Sequence, residues 1–309
     1  MRVFSLLIII SFTCFVAPSQ RLAQTTPIGG QADTNAWRNQ HEAELLKPDG
    51  WLSLIGLEWL EPGDNTVGSA PDNKIHLPVN APSHLGILRF EEKTVTIAPP
   101  KEGFPSGLTI AGRLPTERTL PTGADSDKDN PRIRTDSLEM YVIVRGDRYG
   151  LRIKDSQSAA IRAFHGLNWF PVNTKYRITA SWLPYDPPKT TRLSTLIGTS
   201  YSQPVPGVAE FMLDGKRYRL EPVIEDPGEA KLFFIVRDTT SKSTTYGACR
   251  FLYTNYPENG LKQPGKLVLD FNRLENPPCA YTSFATCPLP PPGNRLPIPI
   301  PAGEKRYHD

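Results

Sequence analysis

The chain is short of the residues from which most metal and redox centres are built: its 309 residues include 4 cysteines, 5 histidines and 3 methionines. The histidines stand at 41, 76, 84, 165 and 308, and no two are at the spacing that puts paired ligands on one helix face. There is no P-loop, no G-x-S-x-G elbow, no H-E-x-x-H and no dinucleotide glycine fingerprint, so no cofactor and no named catalytic chemistry is indicated. An excess of one charge is missing too. The balance is 35 basic against 32 acidic residues; without the first 24 residues, which hold Arg2 and Arg21 and no acid, 33 − 32 leaves +1. So even a surface does not gather polyanions, which excludes nucleic acid as the expected partner. Long apolar runs are absent beyond residue 17, so no membrane span is expected in the mature chain. What is present is an ordinary globular composition, 39% apolar and 22% charged, with an unusual 32 prolines. Each interior proline removes an amide donor and clashes with the preceding turn, so this content opposes long helices and favours β-structure.

The one apolar run, Val3 to Ala17, follows Arg2 and precedes Pro18-Ser19-Gln20-Arg21. That is the layout of a secretory signal occupying residues 1–24, with cleavage after Ser19 or Gln24, and it implies a secreted or periplasmic protein. Cys14 leaves with the signal. Cys249, Cys279 and Cys287 then enter an oxidising compartment, where a bond between Cys279 and Cys287, eight positions apart in a proline-rich tail, is expected. The alternatives are a pairing of Cys249 or three reduced thiols. Cys249, within Ala248-Cys249-Arg250-Phe251-Leu252, reads as a small buried hydrophobe.

Residues 36–47 have helical periodicity, with Trp37, Leu45 and Leu46 near one face and Pro48 ending the run. Elsewhere the period is two. Alternating or β-branched runs at 85–90, 93–98, 108–111, 139–145, 149–153, 176–183, 208–213, 217–224, 231–237, 245–253 and 266–271 predict a mainly β protein, a sandwich followed by a second sandwich or barrel. Asp214-Gly215 and Arg145-Gly146-Asp147 predict hairpin turns. Residues 124–136, charged and poor in apolar side chains, predict an exposed loop. Residues 156–175 read as a join, dividing the mature chain into 36–155 and 156–309.

Residues 63–84 contain Gly68, Asn73 and His84 at places that resemble a forkhead-associated domain, a β-sandwich whose loops bind phosphothreonine. That resemblance implies the fold but not the binding. Its arginine, aspartate and serine positions hold Ser69, Lys74 and Ala81; with Ser69 and Ala81 in place of the arginine and the hydroxyl donor, the bonds that hold a phosphate are missing. Four further segments, 48–68, 142–155, 169–188 and 269–305, are together similar to the bacterial family catalogued as domain of unknown function 1684. That likeness implies no activity.

Polar residues gather late in the chain, in Asp238–Arg250 and Asp270–Asn276. Strand alternation puts Asp270 and Asn272 on one face, where they could bind a cation or a sugar hydroxyl, or merely cap the strand end. Asp238, Tyr246, Arg250, Asp270 and Asn272 are therefore the candidate ligand-binding residues. Trp169, Phe170, Trp182 and Tyr185 offer either a stacking surface for sugars or packing between the halves. Two functions remain open. The first is a binding module for a small molecule, glycan or protein; the second is a hydrolase-like enzyme with its polar site in the second half.

Overall fold

The computed structural model describes residues 30–122, 130–226 and 228–307. The expected signal, with Cys14, lies outside them. The chain enters through α1 (Gln31–Leu45) and builds, in the first half, β1 (Leu54–Trp59), β2 (Gly63–Gly68), β3 (Ile75–His76), β4 (Gly86–Glu91), β5 (Thr94–Ala98), β6 (Thr109–Ile110), β7 (Arg118–Leu120), β8 (Ile133–Thr135), β9 (Leu138–Arg145) and β10 (Arg148–Asp155). Two five-stranded sheets result, ordered β1-β10-β9-β8-β6 and β3-β2-β4-β5-β7. Their inner faces meet because each strand turns alternate residues inward. Leu88, Val95 and Ile97 of one sheet pack against Met140, Val142, Leu151 and Ile153 of the other. Each such buried side chain contributes roughly 1.5–3 kcal/mol of transfer free energy.

The loop expected at 124–136 is corrected in its last part. Ile133 and Thr135 are buried in β8, and Asn130 is buried with its amide donating to the Val142 carbonyl at 2.8 Å; residues 124–129 lie outside the described residues. The segment is apolar-poor, but one inward isoleucine and a pairing with β9 suffice to fix it.

The second half contains α2 (Ala159–Arg162), β11 (Arg177–Ser194), β12 (Ser200–Leu213), β13 (Lys216–Leu220), β14 (Lys231–Val236), β15 (Arg250–Asn255) and β16 (Gly265–Asp270). One sheet runs β13-β12-β11-β16, and β14 pairs with β15. The turn between β12 and β13 is Asp214-Gly215 with φ of 51° and 74°, the left-handed pair a tight hairpin needs. The continuous apolar run of β14 is buried on both faces. Leu232, Phe234 and Val236 join Trp182, Phe211 and Leu269 in one core, while Phe233 and Ile235 join Leu193, Val205, Cys249 and Cys287 in another. Trp182 is therefore core and no sugar platform: it is wholly buried, its indole N–H donating to the Leu261 carbonyl at 3.0 Å.

Helix α1 precedes the first half but bonds to the second. Asp33 pairs with Arg273, Arg38 donates to the Phe170 carbonyl at 3.0 Å, and Glu42 accepts from the Leu167 amide at 3.1 Å and the Trp169 indole at 3.3 Å. Leu45 is buried as expected, whereas Leu46 is exposed. No described helix is long and apolar enough to cross a membrane.

Candidate functional site

The five polar residues of the second half separate into two fasteners and a tether. Asp238, two residues after β14, and Arg250, the first residue of β15, form a buried ion pair at 2.6 Å. The Arg250 guanidinium also donates to the carbonyls of Ile300, Ala302 and Glu304. The other oxygen of Asp238 accepts from the Thr240 amide and hydroxyl and the Ile300 amide. The pair thus fastens the C-terminal tail to the β14–β15 hairpin. Asp270 accepts from Arg177 at 2.9 Å, and Asn272 exchanges two bonds with the main chain of Asn173 at 2.9 and 3.0 Å, fastening the entry to β11. Asn272 also donates to Asp270, and both are buried. Tyr246 donates to the Cys279 carbonyl at 3.0 Å.

A cluster that the sequence did not mark lies where α1 meets the tail. His41 stands between two carboxylates, its Nδ1 3.4 Å from Glu275 and its Nε2 3.6 Å from Glu304. Glu304 is completely buried and accepts from the Asn276 amide at 2.8 Å, from the Asn276 side chain at 2.6 Å and from the Tyr281 hydroxyl at 2.7 Å. Burial, reinforced by the charge of Glu304, pushes the Glu275 carboxyl up to about 7. Burial works against a charged His41 ring. The bond to Glu304 and the charges of Glu275, Glu304 and Glu42 outweigh it and raise the pKa. Trp37 stacks on the His41 ring at 5.4 Å between centroids, and Trp169 meets it edge-on at 5.9 Å. The sequence signal for this site was weak: Trp37 and His41 are four apart on a helix, and Glu304 is an isolated acid after Ala302-Gly303 in an apolar tail.

Tyr281 also lines an open cavity of about 330 Å³ at the seam between the halves. Its walls come from the turn Trp51–Ser53 and β1 (Leu52, Leu54, Ile55), from the start of α2 (Ser158, Ala159, Ala160) and from Tyr281–Phe284. Three of its hydroxyls already have partners, Ser158 donating to the Leu52 carbonyl, Thr282 to the Leu54 carbonyl and Tyr281 to Glu304. Among the described residues no charged side chain lines it.

The expected Cys279–Cys287 bond is not formed: Cys249, Cys279 and Cys287 are free thiols. The Cys287 sulfur instead accepts the Cys279 amide at 3.1 Å. The tail has other anchors, Arg250 above and Asn294, whose side chain exchanges two bonds with the Glu221 main chain at 2.9 and 2.8 Å. In the first half, the residues expected to match a phosphopeptide site make loop-packing bonds. Ser69 donates to the Ala81 carbonyl, Asn73 to the carbonyls of Ala70 and Ser83, and His84 pairs with Asp72 at 3.1 Å.

Fold and site together define a mainly β protein of two halves with an uncharged seam cavity beside a buried His–Glu cluster. Residues 162–305 match the family described as "Protein of unknown function (DUF1684)". That span holds Asp238, Arg250, Asp270, Glu275, Tyr281 and Glu304, but not His41. No curated protein matches the chain. Among solved structures, it is similar to the solution NMR structure of the uncharacterized protein from gene locus rrnAC0354 of Haloarcula marismortui, at 28% identity and a TM-score of 0.40, covering 47% of this chain and 78% of that one.

Proposed function

We propose that this chain is an exported, secreted or periplasmic protein of the bacterial family named above that binds a small, uncharged, largely apolar ligand in the seam cavity. The observation that carries this reading is the cavity itself. Its volume of about 330 Å³ and uncharged, partly apolar walls fit a small-molecule site, and such sites favour the junction between structural units. Ile55 and Phe284 supply apolar contact, and Ser283 is an exposed hydroxyl among its lining residues. A charged ligand finds no counter-charge there. In this reading Asp238, Arg250, Asp270 and Asn272 are fasteners, because their polar atoms bond to main chain and to one another. The first half is a forkhead-associated-like sandwich whose phosphothreonine function is lost.

The test is native mass spectrometry of protein isolated from its own host, followed by thermal-shift screening of uncharged amphiphiles. Ala159 is exposed at the cavity wall, so Ala159→Trp fills the space without entering the core. Ligands should stabilise the wild type and not Ala159→Trp. Equal shifts in both would refute the cavity reading.

One observation favours a hydrolase-like reading: Glu275, pushed up to about 7 and 3.4 Å from the His41 ring, is suited to give and take a proton at neutral pH. Turnover of small esters that Glu275→Gln abolishes without lowering the melting temperature would decide for it.

A further inference from the structure

Cys279 and Cys287 are eight residues apart, yet the Cys287 sulfur lies 3.1 Å from the Cys279 amide nitrogen, and both belong to the apolar cluster around Phe233 and Ile235. They differ in access. Cys287 is buried, whereas Cys279 is only partly covered, on the short turn Pro278–Ala280. The chain between them carries the cavity wall, Tyr281 to Phe284. We propose that this pair is a thiol–disulfide exchange site for low-molecular-weight disulfides such as oxidised glutathione, with Cys279 as the attacking thiol and Cys287 as the resolving one.

The chemistry follows from that asymmetry. Cys279, as thiolate, attacks one sulfur of the external disulfide; a mixed disulfide forms, the external S–S bond breaks, and the first glutathione leaves as a thiolate that takes up the proton Cys279 gave up. Cys287 then attacks the Cys279 sulfur, the Cys279–Cys287 bond forms, and the second glutathione leaves with the proton from Cys287. Two protein thiols are oxidised and one external disulfide is reduced to two thiols. The neighbouring Cys287 thiol lowers the pKa of Cys279, while the bond to Cys279 and burial raise that of Cys287. The first step removes the Cys279 charge that holds the proton on Cys287, so the resolving thiol is released only after the attack. Cys249 stands outside the exchange. It is buried, its thiol is pushed up by burial and by the charge of Cys279, and it points at the Pro288 carbonyl at 3.7 Å.

The experiment uses the full mature chain, reduced and then exposed to oxidised glutathione, with peptide mass mapping. Wild type should end with Cys279 linked to Cys287 and Cys249 free. Cys287→Ser should stop at a glutathione adduct on Cys279, and Cys279→Ser should give no adduct on Cys287. Brief iodoacetamide treatment of the reduced wild type supplies a measurement that needs no variant: Cys279 should react about tenfold faster than either other cysteine. A glutathione adduct that persists in wild type, a link involving Cys249, or alkylation of Cys287 or Cys249 ahead of Cys279 would overturn the assignment. None of these readouts depends on what occupies the cavity, so the two proposals fail separately.

Discussion

Replacing Arg250 by methionine should be among the most damaging single changes in the second half. The guanidinium is about 1% exposed and donates to Asp238 and to the carbonyls of Ile300, Ala302 and Glu304. Methionine matches the aliphatic stem and removes every donor. Asp238 then keeps three donors, from Thr240 and Ile300, but loses its counter-charge where water cannot replace it. Breaking a buried ion pair from one side costs about 3–5 kcal/mol. The orphaned tail carbonyls add to this where they stay dry, at roughly 1–3 kcal/mol for each unsatisfied group. Taking about 3–5 kcal/mol overall, and roughly 2–4 °C per kcal/mol for a chain of this size, the melting temperature should fall by roughly 6–20 °C. Urea unfolding measures the free energy, and limited proteolysis should find new cleavage beyond residue 290 before the hairpin is attacked. Asp238→Asn with Arg250→Met completes a cycle, in which the double variant should lose clearly less than the sum of the singles. A loss under about 1 kcal/mol for Arg250→Met, the range of an exposed pair, or strict additivity would refute the reasoning.

The His41 cluster makes stability depend on pH in a defined direction. Glu275, pushed up to about 7 from 4.5, and His41, raised from 6.5, both hold more protons folded than unfolded, so stability should fall as pH rises. Glu275 acts between about 4.5 and 7, His41 from 6.5 up to its folded value; Glu275→Gln should flatten the first window of a melting-temperature profile, and a profile unchanged by it would count against the burial argument. Asp270→Asn should weaken the Arg177 bond and lower stability by about 1–3 kcal/mol without altering ligand binding in the cavity, which denaturation and thermal-shift titration measure side by side. Gly68→Ala should destabilise the first half, because a Cβ there would sit 2.1 Å from the Ser83 carbonyl oxygen, a clash visible as a lowered melting temperature. Titration with phosphothreonine peptides should detect no specific binding, and N-terminal sequencing of the extracellular or periplasmic form should begin after Ser19 or Gln24.

Period-two patterning, proline content and turn chemistry determined by themselves that the protein is mainly β. Local rules suffice for β9 and β10, joined across Gly146-Asp147, and for the Asp214-Gly215 hairpin, because strand alternation and left-handed turn residues are written within a few positions. The helix was legible for the same reason. Strands such as β1 and β8 were not, since Leu54–Trp59 carries two-sided burial with a register shift and Ile133–Thr135 offers one inward apolar side chain. The polar residues of the second half were visible as residues, but their use was not: whether Asp270 meets a ligand or Arg177 depends on a partner 93 positions away. Likewise His41 and Glu304 are 263 positions apart (304 − 41), and only the docking of α1 on the tail makes them neighbours. The seam cavity is a still purer product of tertiary structure. It is a gap between surfaces from residues 52–55, 158–160 and 281–284, and an unfilled volume has no residue to announce it in sequence.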